Sequence, residues 1–267
     1  MPETPPLRLL VVTPAWNEEE CIAGTIRDIK AAVPHADILV VDDGSADRTV
    51  DRARVAGAEV LVLPFNLGVG GAMRAGFKYA LLHHYDAVIQ VDADGQHDPR
   101  DIMAIVDRLA MPPGLGCGDG GDGAVGSSDV VVGARFADRG TYRARGPRRW
   151  AMILLARVLS RMAGTKLTDT TSGFRAANRR AIALYAQHYP AEFLGDTVES
   201  LVIAIRAGLT VTQVPVHMRP RAGGLPSKSP IGATVYLLRA LLILLLARIR
   251  RWPAMVLLDQ DHPVPAR

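Results

Sequence analysis

Residues Val91-Asp92-Ala93-Asp94-Gly95-Gln96-His97-Asp98-Pro99 decide how the rest of the chain is read. The apolar run Ala87-Val88-Ile89-Gln90-Val91 leads into them and predicts a buried strand. Side chains alternate along a strand, so Asp92 and Asp94 point the same way if strand geometry persists, and Gln96 continues the alternation. Two carboxylates on one side of a strand end repel each other. A cation between them removes the repulsion, and oxygen donors favour a hard ion, Mg²⁺ or Mn²⁺. Asp98-Pro99 predicts a helix start, with a capping carboxylate before proline at the first helical position. An isolated Asp-x-Asp reads better as an acidic turn, so its surroundings must decide.

Upstream lie three strand–helix units. Leu9-Leu10-Val11-Val12 is continuously apolar, as in a central strand of a parallel sheet, and ends at Thr13-Pro14-Ala15-Trp16-Asn17-Glu18-Glu19-Glu20. Asn17 and Glu20 have capping-box spacing, and Ile22, Ile26, Ile29 and Val33 mark the face of the helix that follows. Ile38-Leu39-Val40-Val41 predicts a second strand ending at Asp42-Asp43-Gly44-Ser45, with Ser45 as cap of the next helix. Adjacent carboxylates there are costly unless they face water or accept hydrogen bonds from a ligand. Glu59 to Leu63 predicts a third strand, and Asn66-Leu67-Gly68-Val69-Gly70-Gly71-Ala72 opens a third helix. That glycine run is no dinucleotide fingerprint: Met73 stands where Gly-x-Gly-x-x-Gly requires glycine, and the run follows the third strand. Repeated strand–helix units predict a doubly wound α/β fold, in which ligands bind beyond the carboxyl ends of the strands.

At 267 residues the chain can bury one large core, and 49% hydrophobic with 22% charged residues is a globular composition. The formal charge of +4 is unevenly placed. Arginine and lysine crowd residues 135–180 and 219–251, which predicts a surface that faces an anion. Cys21 and Cys117 have no metal-ligand spacing and are expected to be reduced in a cytosol, and no secretory signal is read at Met1 to Pro6. Residues 111–128 lack apolar periodicity and are read as a flexible glycine-rich insertion. Beyond them come a strand at Asp129 to Arg135, a helix at Trp150 to Met162, a helix near Arg179–His188, one ending at Gly208, and a strand at Val211 to Val216. Ile231 to Ala247 is 17 residues with Arg239 inside, marginal for a spanning helix, and Arg250, Arg251 and Trp252 follow. Such flanks suit a helix lying at a lipid headgroup boundary.

Pro14 to Glu18, Val41 to Ser45, Asn66 to Gly76, Val91 to Pro99, Thr171 to Arg175 and Val214 through Arg221 to Lys228 together resemble the family 2 glycosyltransferases of GT-A fold, and within them the dolichol- or polyprenyl-phosphate mannose synthase group. The resemblance spans roughly residues 8–230. It implies a Rossmann-like, mostly parallel mixed sheet flanked by helices over residues 1–229, followed by a membrane-associating amphipathic segment at 230–267. Pro14, Trp16, Glu18, Val41 and Asp43, with Asp92 and Ala93, are then expected to hold a nucleotide sugar. Asp92, Asp94 and Gln96 are expected to place Mg²⁺ or Mn²⁺ on its diphosphate. Arg175, Arg221 and Lys228 are expected to meet phosphates of donor or acceptor. Trp16 replaces a more usual tyrosine, and the spacing from Arg221 to Lys228 is one residue longer than usual.

The activity implied is inverting transfer of a hexose from GDP-mannose or UDP-glucose to polyprenyl phosphate, at the cytoplasmic face of the membrane. A phosphate acceptor, with its second pKa of about 6, is already ionised at neutral pH and needs no base. Asp196 keeps a second reading open, because other members of the family carry a catalytic acid near that position. A sugar-hydroxyl acceptor would need a base, with Asp196 or Glu199 as candidate. Arg175 has a structural alternative as partner of Asp169. A non-catalytic membrane-associated binding protein is the reading of another class. The partners implied are the sugar donor, the lipid-linked acceptor, a membrane surface, and a small membrane protein or a second copy of the chain, with no nucleic acid.

Overall fold

The computed structural model describes residues 7–109, 128–135, 147–191 and 196–220. Strands β1 (Leu9–Ala15), β2 (Asp37–Asp42), β3 (Glu59–Val62), β4 (Ala87–Gln90), β5 (Val130–Ala134), β6 (Arg175–Asn178) and β7 (Val211–Pro215) form one sheet, ordered β3-β2-β1-β4-β6-β5-β7. Neighbours run parallel except at β6, which is antiparallel to both β4 and β5. The sheet is therefore mostly parallel and mixed, as expected. Sequence patterning predicts no strand at Arg175-Ala176-Ala177-Asn178, which has no β-branched or aromatic residue. Pairing on both edges makes it one, with Val88 opposite Ala177 and Val131 opposite Ala176, and all four residues are buried. Here tertiary pairing overrides propensity.

Helices cover both faces. On one side pack α1 (Ile22–Ala32), α2 (Thr49–Val55) and α4 (Ile102–Val106), against Val11, Val40, Ile89 and Val131. On the other pack α3 (Gly68–Leu82), α5 (Pro147–Ala163), α6 (Arg179–His188) and α7 (Asp196–Arg206), against Leu10, Val12, Leu39, Val41 and Val88. Ile22, Ile26 and Ile29 are fully buried, one face of α1 as the spacing predicts. Each such side chain contributes roughly 1.5–3 kcal/mol relative to exposure.

Two of the three predicted caps, at Asn17 and Ser45, are not formed. α1 starts at Ile22 with no side-chain cap, and Asn17 sits in the left-handed region (φ 54) with its Oδ1 accepting from Ala46 N. Ser45 does not cap α2; its Oγ accepts from Asn17 N, and Asp47 Oδ1 instead accepts from Thr49 N. Both capping residues tie two loops together across the sheet edge, a pairing that local spacing cannot register. Asp98 does cap, accepting from Arg100 N ahead of Pro99 in a short 3-10 turn before α4.

β1 lies between β2 and β4, so the chain reverses its winding direction there and leaves a crevice beyond the carboxyl ends of these strands. Among the described residues no helix is long and apolar enough to cross a membrane. The expectations for the 111–128 insertion, apart from Ser128, and for the 230–267 segment lie outside the described residues.

Candidate active site

The crevice collects the predicted nucleotide residues. Pro14 pairs with Val41 and Ala15 with Asp42, and Asp43 N donates to the Ala15 carbonyl at 2.8 Å. Glu18 N donates to Thr49 Oγ1, so the first loop rests on the start of α2. Trp16 follows the end of β1 and is 55% exposed. Asp43 is buried, and its Oδ1 accepts from Leu67 N at 2.7 Å, just ahead of α3. Burial pushes its carboxyl up, with the Leu67 and Gly68 N–H groups pulling the other way.

Asp92 and Asp94 lie on a turn that begins where β4 ends, at Gln90. Alternation reaches Asp92, whose Oδ1 accepts from Gln90 Nε2 at 2.8 Å. It does not continue to Asp94: residues 93–95 turn, with Gly95 at φ 73. The strand-pleat reason for pairing the two carboxylates thus fails. Both still belong to one short turn, with Asp94 Oδ1 accepting from Gln96 N at 3.0 Å. Buried Thr25 on α1 donates its hydroxyl to the Ala93 carbonyl at 2.8 Å. Gly173 closes the far side. A Cβ there would lie 2.9 Å from Gln90 Nε2 and 3.2 Å from Asp92 Oδ2, so any larger residue would push on these two side chains.

The turn is also braced from β7. Arg219 N donates to the Gln96 carbonyl, and the Arg219 guanidinium reaches Asp98 Oδ1 at 2.8 Å and Asp28 Oδ2 at 2.6 Å. Hydrogen bonds from Arg100 outweigh the burial of Asp98 and, with Arg219, hold its carboxyl far below the ordinary carboxylate range. Its folded-state value lies below the unfolded one. The stabilisation is therefore complete above the ordinary range, begins to be lost as pH falls through that range, and goes on falling toward the lower folded-state value. In urea melts from about pH 5 down to about pH 3, the native chain is expected to lose more stability than Asp98→Asn. Equal losses in both would remove this role.

Arg175 is buried and turned inward. Its Nε donates to the Ser172 carbonyl at 2.6 Å and its terminal nitrogens to the carbonyls of Thr170 and Thr197 and to Ser200 Oγ. It does not pair with Asp169, which takes Arg135 instead, at 2.6 Å. Asp196 is the first residue of α7, and its side chain, like Arg221 and Lys228, lies outside the described residues.

Residues 10–185 match the family model described as glycosyl transferase family 2, two thirds of the sequence. The chain belongs to that family. The glycosyltransferase is 31% identical over 85% of its length to an undecaprenyl-phosphate mannosyltransferase of Micrococcus luteus, covering 93% of that protein. It is 29% identical over 84% of its length to a polyprenol monophosphomannose synthase of Mycolicibacterium smegmatis, covering 82% of it. Glucosyl-3-phosphoglycerate synthase of Mycobacterium tuberculosis, crystallised with Mn²⁺, UDP and its product, superposes with a TM-score of 0.65 at 22% identity, over 90% of this chain and 80% of that one. That likeness establishes the GT-A fold. In this glycosyltransferase the residues that sequence reasoning passes over are those that support the turn: Thr25, Gln90, His97, Gly173 and Arg219. His97, Gly173 and Arg219 lie inside motifs quoted from the sequence, but nothing local to them announces a role in supporting the turn.

Proposed function

We propose that the chain transfers a hexose, with inversion, from a nucleotide sugar of the GDP-mannose or UDP-glucose type to polyprenyl phosphate at the cytoplasmic membrane face. The observation that carries this is the match to the Micrococcus luteus enzyme along nearly its whole length, 93% of that protein. A mannosyl donor is the first choice on the same ground.

In this reading Trp16 stacks on the base, and Pro14, Glu18, Val41, Asp43 and Ala93 shape the nucleotide pocket. Asp92, Asp94 and Gln96 hold Mg²⁺ or Mn²⁺. The donor set fits: two carboxylates and an amide on one turn offer only oxygen ligands. Among the described residues no three histidine, cysteine or acidic side chains group around one point. An ion held by one or two carboxylates that completes its shell on substrate phosphates suits such a site. When bound, it supplies positive charge where the leaving diphosphate gathers negative charge. The protein's own contribution is orientation: the turn is pinned by Gln90, Thr25 and Arg219, and the open edge admits the acceptor.

The acceptor phosphate arrives ionised, so no residue need take a proton from it. Arg221 and Lys228 are assigned to its phosphate, and Arg175 shapes the loop beside Asp92. The hydroxyl-acceptor reading turns on Asp196, whose side chain lies outside the described residues. The test presents GDP-mannose and UDP-glucose with Mn²⁺ and either a short polyprenyl phosphate or the corresponding free polyprenol and simple sugars. Transfer to the phosphate, at least about 10²-fold faster than to any hydroxyl, is expected. Transfer confined to hydroxyl acceptors, with severe loss in Asp196→Asn, would sink the lipid-phosphate assignment.

A further inference from the structure

His97 lies between the two halves of the site, and nothing in the proposed chemistry uses it. Its ring is buried at 5% exposure and stacks on Phe174, with centroids 4.7 Å apart and planes 10° from parallel. Phe174 is fully buried in the core on the α1/α4 face, and its carbonyl accepts from Gly133 N of β5. From that fixed position the ring reaches back to the metal turn. Nδ1 accepts a hydrogen bond from Asp92 N at 3.1 Å. An accepting Nδ1 leaves the proton on Nε2, which faces Asp92 Oδ2 at 3.7 Å, beyond direct hydrogen-bond reach. On its other side His97 forms an antiparallel bridge with Met218.

The bond from Asp92 N to His97 closes the segment 92–97 on itself, with Asp94 and Gln96 inside the closed loop. Asp92 is then bounded by Gln90 on β4, by His97 and by Gly173 of the neighbouring loop. Its carboxylate remains 39% exposed toward the crevice. A phenylalanine at 97 could keep the stack and would leave Asp92 N without this acceptor. An asparagine could restore an oxygen close to the place of Nδ1 while losing the stack. The hydrogen bond and the stack can therefore be separated by substitution.

We propose that His97 is a positioning residue: through Nδ1 it holds the Asp92–Gln96 turn in its ligating form and registers it against Phe174. The proposal rests on the metal reading of Asp92 and Asp94. Groups that orient a ligand commonly change metal affinity by about 10–100-fold when removed. The test is Mn²⁺ binding to the full chain, followed by electron paramagnetic resonance in the presence of UDP or GDP, for native protein, His97→Ala and His97→Asn. His97→Ala is expected to bind Mn²⁺ about tenfold more weakly or worse, and His97→Asn to recover most of the loss. Nucleotide binding in EDTA is expected to be the same in all three. Should His97→Ala fail to fold, His97→Phe takes its place in the comparison. Native-like affinity in the variant lacking the acceptor overturns the proposal, as does an asparagine variant no better than it. Parallel loss of metal-free nucleotide binding also overturns it, since that marks a general structural role. Absence of Mn²⁺ binding by the native protein fails at a different arm: it overturns the metal reading, and the role of His97 with it.

Discussion

Asp94→Ala is expected to slow hexose transfer by about 10³-fold at saturating donor, a barrier increase of about 4 kcal/mol. Two effects combine. The substitution removes one of two carboxylates available to a cation, and it removes the oxygen that accepts from Gln96 N, so the turn loses an internal brace as well. Asp94→Asn separates them. It keeps an acceptor for Gln96 N and discards the charge, so its turnover should lie close to that of the alanine variant if charge is what matters. Neither variant should lose much stability, because residue 94 lies at the edge of the crevice and outside both hydrophobic clusters. Turnover and donor binding, each measured with Mn²⁺ and with EDTA, decide the matter. Unchanged turnover in Asp94→Ala together with indifference to EDTA would eliminate the metal role.

Arg175→Ala is expected to cost about 3 kcal/mol or more in folding stability, read as a lower urea midpoint. The guanidinium serves three backbone carbonyls and one hydroxyl, on Thr170, Ser172, Thr197 and Ser200. These acceptors join the loop facing Asp92 to the first turn of α7. A buried carbonyl left without its donor costs about 1–3 kcal/mol, and here several lose theirs together. Arg175→Lys should recover only a fraction, because an ammonium cannot present the planar fork that spans these acceptors. Transfer activity should fall with the disordering of the 170–173 loop, where Gly173 lies against Gln90 and Asp92. A variant that keeps native stability and loses only phosphate affinity would restore the phosphate-contact role that the family resemblance implies.

The two residues mark how far the sequence could be read. Asp94 announces itself, since a Asp-x-Asp after a buried strand has few uses once three strand ends stand beside it. The gathering of Pro14 to Glu18 with Val41 and Asp43 at one crevice is legible for the same reason: each group follows an apolar run, and parallel strands bring their carboxyl ends together. Arg175 misleads. In the sequence it is one cation in a basic region, and nothing local says whether it faces substrate or carbonyls. Its inward direction follows from β6, a strand that exists because β4 and β5 accept it on either side. The caps mislead likewise. Asn17 and Ser45 have the chemistry of helix caps, yet they bond each other's loops across the sheet edge.

Sequence alone determined the α/β class, the alternation of strand and helix, the crevice and the acidic turn, because these depend on hydrophobic periodicity and on residue types that cluster locally. Tertiary structure alone decided what holds that turn in shape. Gln90, Thr25, His97, Gly173 and Arg219 converge on residues 92–98 from β4, α1, the turn itself, the 170–174 loop and the end of β7. The contacts from Thr25, Gly173 and Arg219 join segments 68 to 121 positions apart, and such distances are set by packing rather than by any local pattern.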